Sequence, residues 1–223
     1  MNFLGIFKLI FSSLILSIFL TGCNKPNQEI KNSICFNRQY TCFNNIKRLE
    51  ISTNKGKLIL QLDGKNAPVT VGHFLKLVEN GIYNKTKFNR VIREPKPYII
   101  QGGDPLNRLV NISTNHNSIS GESIYSRFIP LEISIINEEI PRYNEIIGAN
   151  FHEKIKLRHA KGSISMARSD SLSSASSQFY ISLRRLPELD GRYAVFGEII
   201  DGFNILNLIE EGDYILSIKE INY

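Results

Sequence analysis

The sequence has no run of five or more consecutive Lys or Arg residues, although its formal net charge is +6. A basic chain can bind nucleic acid or an anionic membrane surface when its positive charge is concentrated in one place. Here the Lys and Arg residues are scattered along all 223 residues. A generally basic surface is therefore the simpler interpretation, and we expect no nucleic-acid partner.

The sequence also lacks the short motifs that hold a metal or a nucleophilic serine. Its four histidines and three cysteines form no H-x-x-x-H or C-x-x-C pair, which argues against a structural metal. The serine-rich stretch from Ser169 to Ser177 contains no G-x-S-x-G elbow, so it does not indicate a serine hydrolase. The sequence predicts neither a metal nor any other cofactor.

The first 23 residues have the pattern of an export signal. Lys8 is the only charged residue before an apolar stretch from Leu9 to Leu20, which is shorter than the ~20 residues of a membrane-spanning helix. The tetrapeptide that ends at Cys23, Leu-Thr-Gly-Cys, resembles the lipobox of bacterial lipoproteins. This resemblance implies that residues 1–22 are a signal peptide and that Cys23 becomes a lipidated N-terminus. An uncleaved helical anchor is the alternative, and either one would hold the domain at a bacterial membrane outside the cytoplasm.

Residues 23–46 are predicted to form this lipidated N-terminus and a tether. They are rich in Asn, Lys and Gln and show little hydrophobic periodicity. Cys35 and Cys42 lie close together within this segment. Because an exported protein meets an oxidising compartment, we expect a disulfide between them, with free thiols as the alternative.

Residues 47–223 are predicted to form one mainly β domain. Apolar and polar residues alternate at 49–53 and 58–62 around the turn residues Lys55-Gly56, as in a β-hairpin. A helix begins near Pro68, continues with apolar residues at helical spacing and ends at Gly81. Further strands are predicted at 87–92, 98–101, 162–167, 178–182, 194–200 and 217–223, and a second short helix at 203–209. Many short strands without strand–helix alternation favour an antiparallel barrel or sandwich with helical caps.

A long insertion at residues 105–160 separates the two halves of this pattern. It is rich in Asn, Ser and Ile and has one strand-like piece, from Arg127 to Ile135. Its length exceeds that of ordinary loops, so it is either a functional loop or a segment that contains small elements. It could border a binding groove and select substrates, or it could pack elsewhere.

Three sequence blocks, found in this order, resemble the cyclophilin family. An Ala-Pro-Val-Thr-Val helix start at 67–71 precedes them, and together the similarity extends over residues 48–223. The blocks are F-N-R-V-I at 88–92 continuing to Q-G-G-D-P at 101–105, G-S-I-S-M-A-R at 162–168 continuing to S-S-Q-F-Y at 176–180, and L-D-G-R-Y-A-V-F-G at 189–197. The resemblance implies an eight-stranded antiparallel barrel capped by two α-helices. It also implies a monomeric peptidyl-prolyl cis-trans isomerase that binds proline-containing, unfolded or flexible protein segments.

Arg90 matches the catalytic arginine of that family. Rotation about a peptide bond meets a barrier of ~18–20 kcal/mol because resonance gives the C–N bond double-bond character. In the twisted state the proline nitrogen regains its lone pair, and a fixed cationic donor aimed at this nitrogen stabilises that state. Arginine suits the role because it stays charged and presents several donors in a rigid fork. Gln101 matches the family glutamine that bonds the substrate backbone and helps to hold Arg90.

The remaining site residues also follow from the resemblance. An apolar cup for the proline ring is expected from Tyr98, Ile99, Tyr180 and Leu189, with Gln178 and Tyr193 beside it. Ala167 and Arg168 match the edge where substrate backbone pairs, although the side chain of Arg168 could simply face solvent.

This sequence departs from the family pattern at several of these positions. Tyr98 and Tyr180 stand where the family usually has Phe, which would add hydroxyls at the rim of the pocket. The turn from Arg93 to Pro97 is longer than the matching family turn, so the sequence leaves the distance between Arg90 and the pocket floor open. A non-catalytic proline-peptide-binding module or chaperone on the same scaffold is therefore the alternative function.

Overall fold

The computed structural model describes residues 33–36, 40–107 and 127–221. The predicted signal peptide, the predicted lipidation site at Cys23 and residues 108–126 of the insertion lie outside these ranges. Among the residues described, no helix is both long enough and apolar enough to cross a membrane.

An eight-stranded antiparallel sheet forms the body of the domain, which confirms the predicted mainly β fold. Its strands are β1 (Ile46–Thr53), β2 (Gly56–Asp63), β3 (Phe88–Val91), β4 (Ile99–Gly102), β7 (Ser163–Met166), β8 (Phe179–Ser182), β9 (Val195–Asp201) and β10 (Ile215–Glu220). They pair in the order β10-β1-β2-β9-β7-β8-β4-β3. Each predicted strand corresponds to one of them. In β1 and β2 alternate side chains are buried, as the sequence pattern predicted, whereas β7 and β8 are buried along their whole length.

Backbone hydrogen bonds between the two edges curl the sheet into a barrel. Phe88 N donates to Asp213 O over 2.7 Å, and Gly212 N donates to Phe88 O over 2.9 Å. Lys85 N donates to Ile215 O over 2.7 Å, and Ile215 N donates to Thr86 O over 2.9 Å. The start of β3 therefore meets the residues that lead into β10, so the two edges of the sheet join at this point.

Three α-helices accompany the sheet in the described ranges: α1 (Ser33–Phe36), α2 (Pro68–Glu79) and α3 (Phe203–Leu208). Helices α2 and α3 were predicted. Pro68 lies at the first turn of α2, where a missing N–H leaves no acceptor unpaired. After α2 the chain reverses at Gly81, whose φ of +63° suits a residue without a side chain.

An aromatic cluster anchors α2 to the inner face of the sheet. The Phe74 ring centroid lies 4.9 Å from that of Tyr83, 5.7 Å from Phe179 and 5.1 Å from Phe196. All four side chains are fully buried. Such pairs add about 0.5–1.5 kcal/mol each beyond the burial of apolar area, so this cluster fixes the helix on β8 and β9.

Residues 40–45, predicted as the end of the tether, pack against the domain. Phe43 N donates to Pro68 O over 3.0 Å, and a Cβ at position 72 would collide with the Thr41 carbonyl, so the chain crosses α2 at Gly72. Cys35 and Cys42 form a disulfide with their Cα atoms 5.7 Å apart. This N-terminal strap is therefore part of the packed structure.

The described part of the insertion contains three small elements: strand β5 (Glu132–Ile133), strand β6 (Arg142–Tyr143) and the 3-10 helix η1 (Ala149–Lys154). β5 is shorter than the predicted strand-like piece, because Pro130 has no N–H and its neighbours bond outward. Ile129 N donates to Ala175 O, and Leu131 N donates to Leu172 O.

A second small apolar cluster packs the described part of the insertion against the segment that leads into β9. It joins Ala194 to five insertion residues: Leu131, Ile133, Ile135, Ile147 and Ile155. Ile147 N also donates to Gly191 O over 3.0 Å. The described part of the insertion therefore lies against residues 191–194, the segment that contains Tyr193.

Candidate active site

One row of cross-strand partners places four side chains on the outer face of the barrel. Arg90 on β3 pairs with Gln101 on β4, Gln101 pairs with Tyr180 on β8, and Tyr180 pairs with Ser165 on β7. Directly paired residues point to the same face of a sheet, and their neighbours point to the other. The neighbours Ile100, Ile181 and Ile164 are in the main core. The pleat therefore separates the site from the core.

An irregularity in the β3–β4 pairing falls immediately before Arg90. The register shifts between Phe88 and Arg90, so Asn89 has no partner of its own. A bulge of this kind bends a strand and re-aims the following side chain. It lets Phe88 stay fully buried while Arg90 is exposed on the outer face.

The predicted proline cup is a separate apolar cluster on this outer face. Its buried members are Ile99, Tyr180 and Leu186, and its partly buried members are Ile92, Tyr98, Ala167, Leu189 and Tyr193. All the apolar and aromatic residues predicted for the site are thus brought together. Ile92 and Leu186 were not predicted, since each looks like ordinary core in sequence.

The Arg90 guanidinium is available to a ligand. Among the residues the structure describes, no side chain or carbonyl forms a hydrogen bond or ion pair with it. The Arg90 charge is close enough to act on the phenol of Tyr98. Burial raises the pKa of Tyr98, and Glu188 and Tyr193 raise it further. The positive charges of Arg184 and Arg90 lower it and so partly oppose this rise. A free cation therefore lies close to the rim of the cup.

Gln101 bonds Gln178 instead of Arg90. Gln101 Nε2 donates to Gln178 Oε1 over 2.9 Å, and Gln178 Nε2 donates to Asp104 Oδ2 over 3.2 Å. Because a carboxylate only accepts, Asp104 fixes the orientation of both amides. Among the described residues no group donates to the Gln101 side-chain oxygen, which is therefore available to a ligand. In the same ranges Gln101 forms no hydrogen bond with Arg90, although the family resemblance implied that it would.

Two further arginines cover aromatic rings at the rim. The Arg168 guanidinium lies 4.9 Å from the Tyr193 ring centroid and donates twice to Arg192 O, over 3.1 and 2.9 Å. Arg184 lies 5.6 Å from the Tyr98 ring centroid and pairs with Glu188 over 2.8 Å. The Arg168 side chain thus forms part of the rim, in a fixed cation–π arrangement.

The lengthened turn between β3 and β4 does not interrupt the pairing of the two strands. Ile92 N donates to Ile99 O and Tyr98 N donates to Ile92 O, both over 2.9 Å, so the strands stay paired up to the turn. Arg93 holds the turn from outside by donating to Leu206 O over 3.1 Å and to Ile209 O over 2.8 Å. These two bonds fix the start of the lengthened turn at the end of α3.

The Tyr180 hydroxyl does not lie at the rim, contrary to the expectation from sequence. It is 2.8 Å from His159 Nε2, and His159 Nδ1 is 2.9 Å from Asp190 Oδ1. All three side chains are buried. His159 and Asp190 were missed as site residues, although Asp190 lies inside one of the three family blocks, directly after the cup residue Leu189.

No metal centre is found in the described ranges, where no three His, Cys, Asp or Glu side chains come together. The site instead offers an apolar cup, a free guanidinium and a fixed amide pair. These groups can bind and polarise a peptide bond.

Sequence comparison identifies relatives of this chain. A family model described as cyclophilin type peptidyl-prolyl cis-trans isomerase/CLD matches residues 48–220. A protein of Synechocystis named as a thylakoid lumen peptidyl-prolyl cis-trans isomerase is 33% identical over 185 residues, or 78% of this chain and 46% of that protein. A peptidyl-prolyl cis-trans isomerase of Helicobacter pylori is 32% identical over 75% of this chain and 83% of its own length. The chain thus spans less than half of the Synechocystis protein.

Solved structures show the same architecture. A cyclophilin type peptidyl-prolyl cis-trans isomerase of Cryptosporidium parvum is 28% identical, with a TM-score of 0.59 over 80% of this chain and 99% of that one. The same Cryptosporidium protein in the presence of the dipeptide Ala-Pro gives a TM-score of 0.58. Family model, relatives and fold agree, and the chain belongs to the cyclophilin-type peptidyl-prolyl cis-trans isomerase family.

Proposed function

We propose that this chain catalyses cis/trans isomerisation of X-Pro bonds in exported proteins. The observation that carries the proposal is the Arg90 guanidinium, which has no hydrogen-bond or ion-pair partner among the described residues and lies beside an apolar cup on the outer face of the barrel. A cup lined by apolar and aromatic side chains suits a proline ring, and a cationic donor next to it suits the nitrogen of a twisting amide.

Catalysis requires only that the twisted amide be bound better than either planar isomer. The two planar X-Pro isomers differ by only about 0.5–1 kcal/mol, yet they exchange in tens to hundreds of seconds. In the twisted state the proline nitrogen becomes pyramidal and accepts a hydrogen bond from Arg90. The planar amide has no such lone pair, so this bond forms only on the way between the isomers and lowers the barrier.

Main-chain and amide groups would hold the rest of the substrate. Ala167 N already donates to Gln178 O over 2.9 Å, so its carbonyl oxygen is the group left to accept from a substrate N–H. The Gln101 side-chain oxygen provides a second acceptor, oriented by Gln178 and Asp104. With the proline ring in the cup, these contacts would fix the chain on one side while the other side rotates.

An extracytoplasmic location fits this function. The Synechocystis relative is named for the thylakoid lumen, and the Cys35–Cys42 disulfide is of a kind that persists in oxidising compartments. We propose residues 1–22 as the signal peptide, a lipid on Cys23, the N-terminal segment up to residue 46 as a tether whose last residues dock on the domain, and residues 47–223 as the isomerase domain. Mass spectrometry of membrane-extracted protein should find a diacylglycerol on Cys23, and an unmodified cysteine would contradict the anchor.

Exchange NMR on an Ala-Pro model peptide tests the activity. The purified chain should speed cis/trans exchange well above the buffer rate at catalytic concentrations. Peptide signals that shift on binding without faster exchange would instead support the non-catalytic binding module.

A further inference from the structure

A buried chain of polar groups runs behind the proline cup. The Tyr180 hydroxyl contacts His159 Nε2 over 2.8 Å, and His159 Nδ1 contacts Asp190 Oδ1 over 2.9 Å. Asp190 Oδ2 accepts from Arg185 Nη2 over 2.5 Å, and Asp190 Oδ1 also accepts from the His159 backbone N–H over 2.8 Å. His159 and Asp190 are 0% exposed and Tyr180 is 3% exposed, so the bonds among these three residues are shielded from water, whereas Arg185 reaches Asp190 from the surface.

The protons in this chain of groups can be placed by what each partner can accept. Burial raises the pKa of Asp190, but hydrogen bonds from His159 and Arg185 outweigh it and hold the pKa at about 2. Asp190 is therefore an ionised acceptor, so His159 Nδ1 carries the ring proton. In the neutral ring Nε2 is then an acceptor, and the Tyr180 phenol, which stays protonated because burial raises its pKa well above the ordinary value, donates to it.

These bonds connect both walls of the cup. Tyr180 is one wall, and its ring meets Tyr193 edge-on with centroids 5.7 Å apart. Asp190 lies between the cup residues Leu189 and Tyr193 in the segment that forms the other wall. The same segment is tied to His159 by its backbone, because Leu186 N donates to His159 O over 2.9 Å.

We infer that His159 is a positioning residue of the active site, which fixes the Tyr180 ring through Nε2 and the Leu189–Tyr193 wall through Asp190. This inference rests on the proposed function only in using the cup as the proline site. The tie between Tyr180 and His159 needs the phenol hydroxyl, and the Phe that the family usually has at this position could not form it. It is therefore a feature of this chain.

The expected consequence is a loss of proline binding with little change in the turnover step. No hydrogen bond or ion pair joins His159 or Asp190 to Arg90 in the structure, so the donor to the twisted amide should stay in place when the bond between Tyr180 and His159 is lost. A cup with a loose wall binds the proline ring less well in every state. One buried hydrogen bond corresponds to about a fivefold to tenfold effect, so KM and Kd should rise by about that factor while kcat stays within about twofold.

Amide substitutions at position 159 test the bond to Tyr180 separately from the bond to Asp190. In H159Q the amide lies near the place of Nε2 and can still bond Tyr180, whereas in H159N it lies near Nδ1 and reaches only Asp190. We expect H159N and Y180F to raise KM equally and H159Q to keep most of the affinity. The double variant Y180F/H159N should lose little more than either single variant, because both remove the same bond. His152→Asn, in η1, is the matched control and should change nothing.

The measurements are kcat and KM from exchange NMR, and Kd from peptide titration by chemical shift. A Y180F variant that folds, keeps its melting temperature and binds the Ala-Pro peptide as tightly as the wild type would overturn the inference. A long-range ¹H–¹⁵N spectrum that places the His159 proton on Nε2 would also overturn it. If the wild type binds but does not catalyse, the proposed function fails, and the Kd comparison still tests His159.

Discussion

Glu132 gives the sharpest stability prediction, because a buried carboxylate caps helix α2 from a position 62 residues further along the chain. Ala67 at the N-cap of α2 offers no side-chain acceptor. Glu132 Oε1 instead accepts from Val69 N over 3.1 Å and from the Tyr143 hydroxyl over 3.0 Å. Its Oε2 accepts from Thr70 N over 2.8 Å and from Thr70 Oγ1 over 2.7 Å. The insertion thereby caps the N-terminus of α2.

The cost of losing this cap can be worked out from these bonds. Glu132→Ala leaves two buried backbone N–H groups unpaired, at about 1–3 kcal/mol each. Part of this loss is offset, because the variant no longer has a carboxylate that must be desolvated on folding. We expect a net loss of about 3 kcal/mol in the free energy of unfolding. For a domain of this size that is a fall of about 6–12 °C in the melting temperature.

Urea and thermal unfolding, followed by circular dichroism, measure this loss. Glu198→Ala, an exposed carboxylate on β9, is the matched control and should change the free energy of unfolding by less than about 0.5 kcal/mol. A Glu132→Ala variant that loses less than about 1 kcal/mol would refute the capping argument.

The pH dependence gives an independent check. Burial raises the pKa of Glu132, and the bonds from Thr70, Val69 and Tyr143 offset this only in part. The folded state thus binds the proton more tightly than the unfolded state. The stability from this group is fully present below the ordinary glutamate pKa and is lost as the pH rises through the higher folded pKa. In Glu132→Gln this decrease should disappear from the pH profile of the free energy of unfolding.

Three further predictions concern the strap and the lengthened turn. Gly72→Ala should lower the free energy of unfolding by about 1–3 kcal/mol through its collision with the strap, whereas Gly148→Ala, which meets nothing within 4 Å, should be neutral in urea unfolding. Replacing Cys35 and Cys42 together by Ser should lower the free energy of unfolding by about 2–3 kcal/mol relative to wild type under oxidising conditions. With reductant present, the Ser variant and wild type should be equally stable. Arg93→Ala should cost about 1–2 kcal/mol by freeing two carbonyls at the end of α3, with KM for the Ala-Pro peptide unchanged. Equal stability of the Gly72 and Gly148 variants, of the Ser variant and wild type under oxidising conditions, or of Arg93→Ala and wild type would contradict these assignments.

The sequence predicted those parts of the fold that depend on local pattern. Alternating apolar residues in β1 and β2, and helical spacing after Pro68, locate elements because burial selects every second or every third to fourth side chain. The cup could be predicted only from the family blocks, since Ile99 or Leu189 alone is indistinguishable from core.

The parts that escaped prediction depend on contacts between distant residues. Glu132 reaches α2 across 62 residues, and His159 reaches Asp190 across 31. Neither contact leaves a periodic signal, so the insertion gave no sign that it caps a helix. The direction of the Tyr180 hydroxyl was equally hidden, because it depends on a histidine from another part of the chain.

The central claim is that Arg90 stabilises the twisted amide, and single-site exchange NMR tests it most directly. Arg90→Ala should reduce kcat for the Ala-Pro peptide by about a hundredfold or more, the effect of removing one transition-state donor. The melting temperature should not change, and Arg48→Ala, an exposed arginine on β1, should keep the full rate. An Arg90→Ala variant that exchanges the peptide as fast as the wild type would contradict the account.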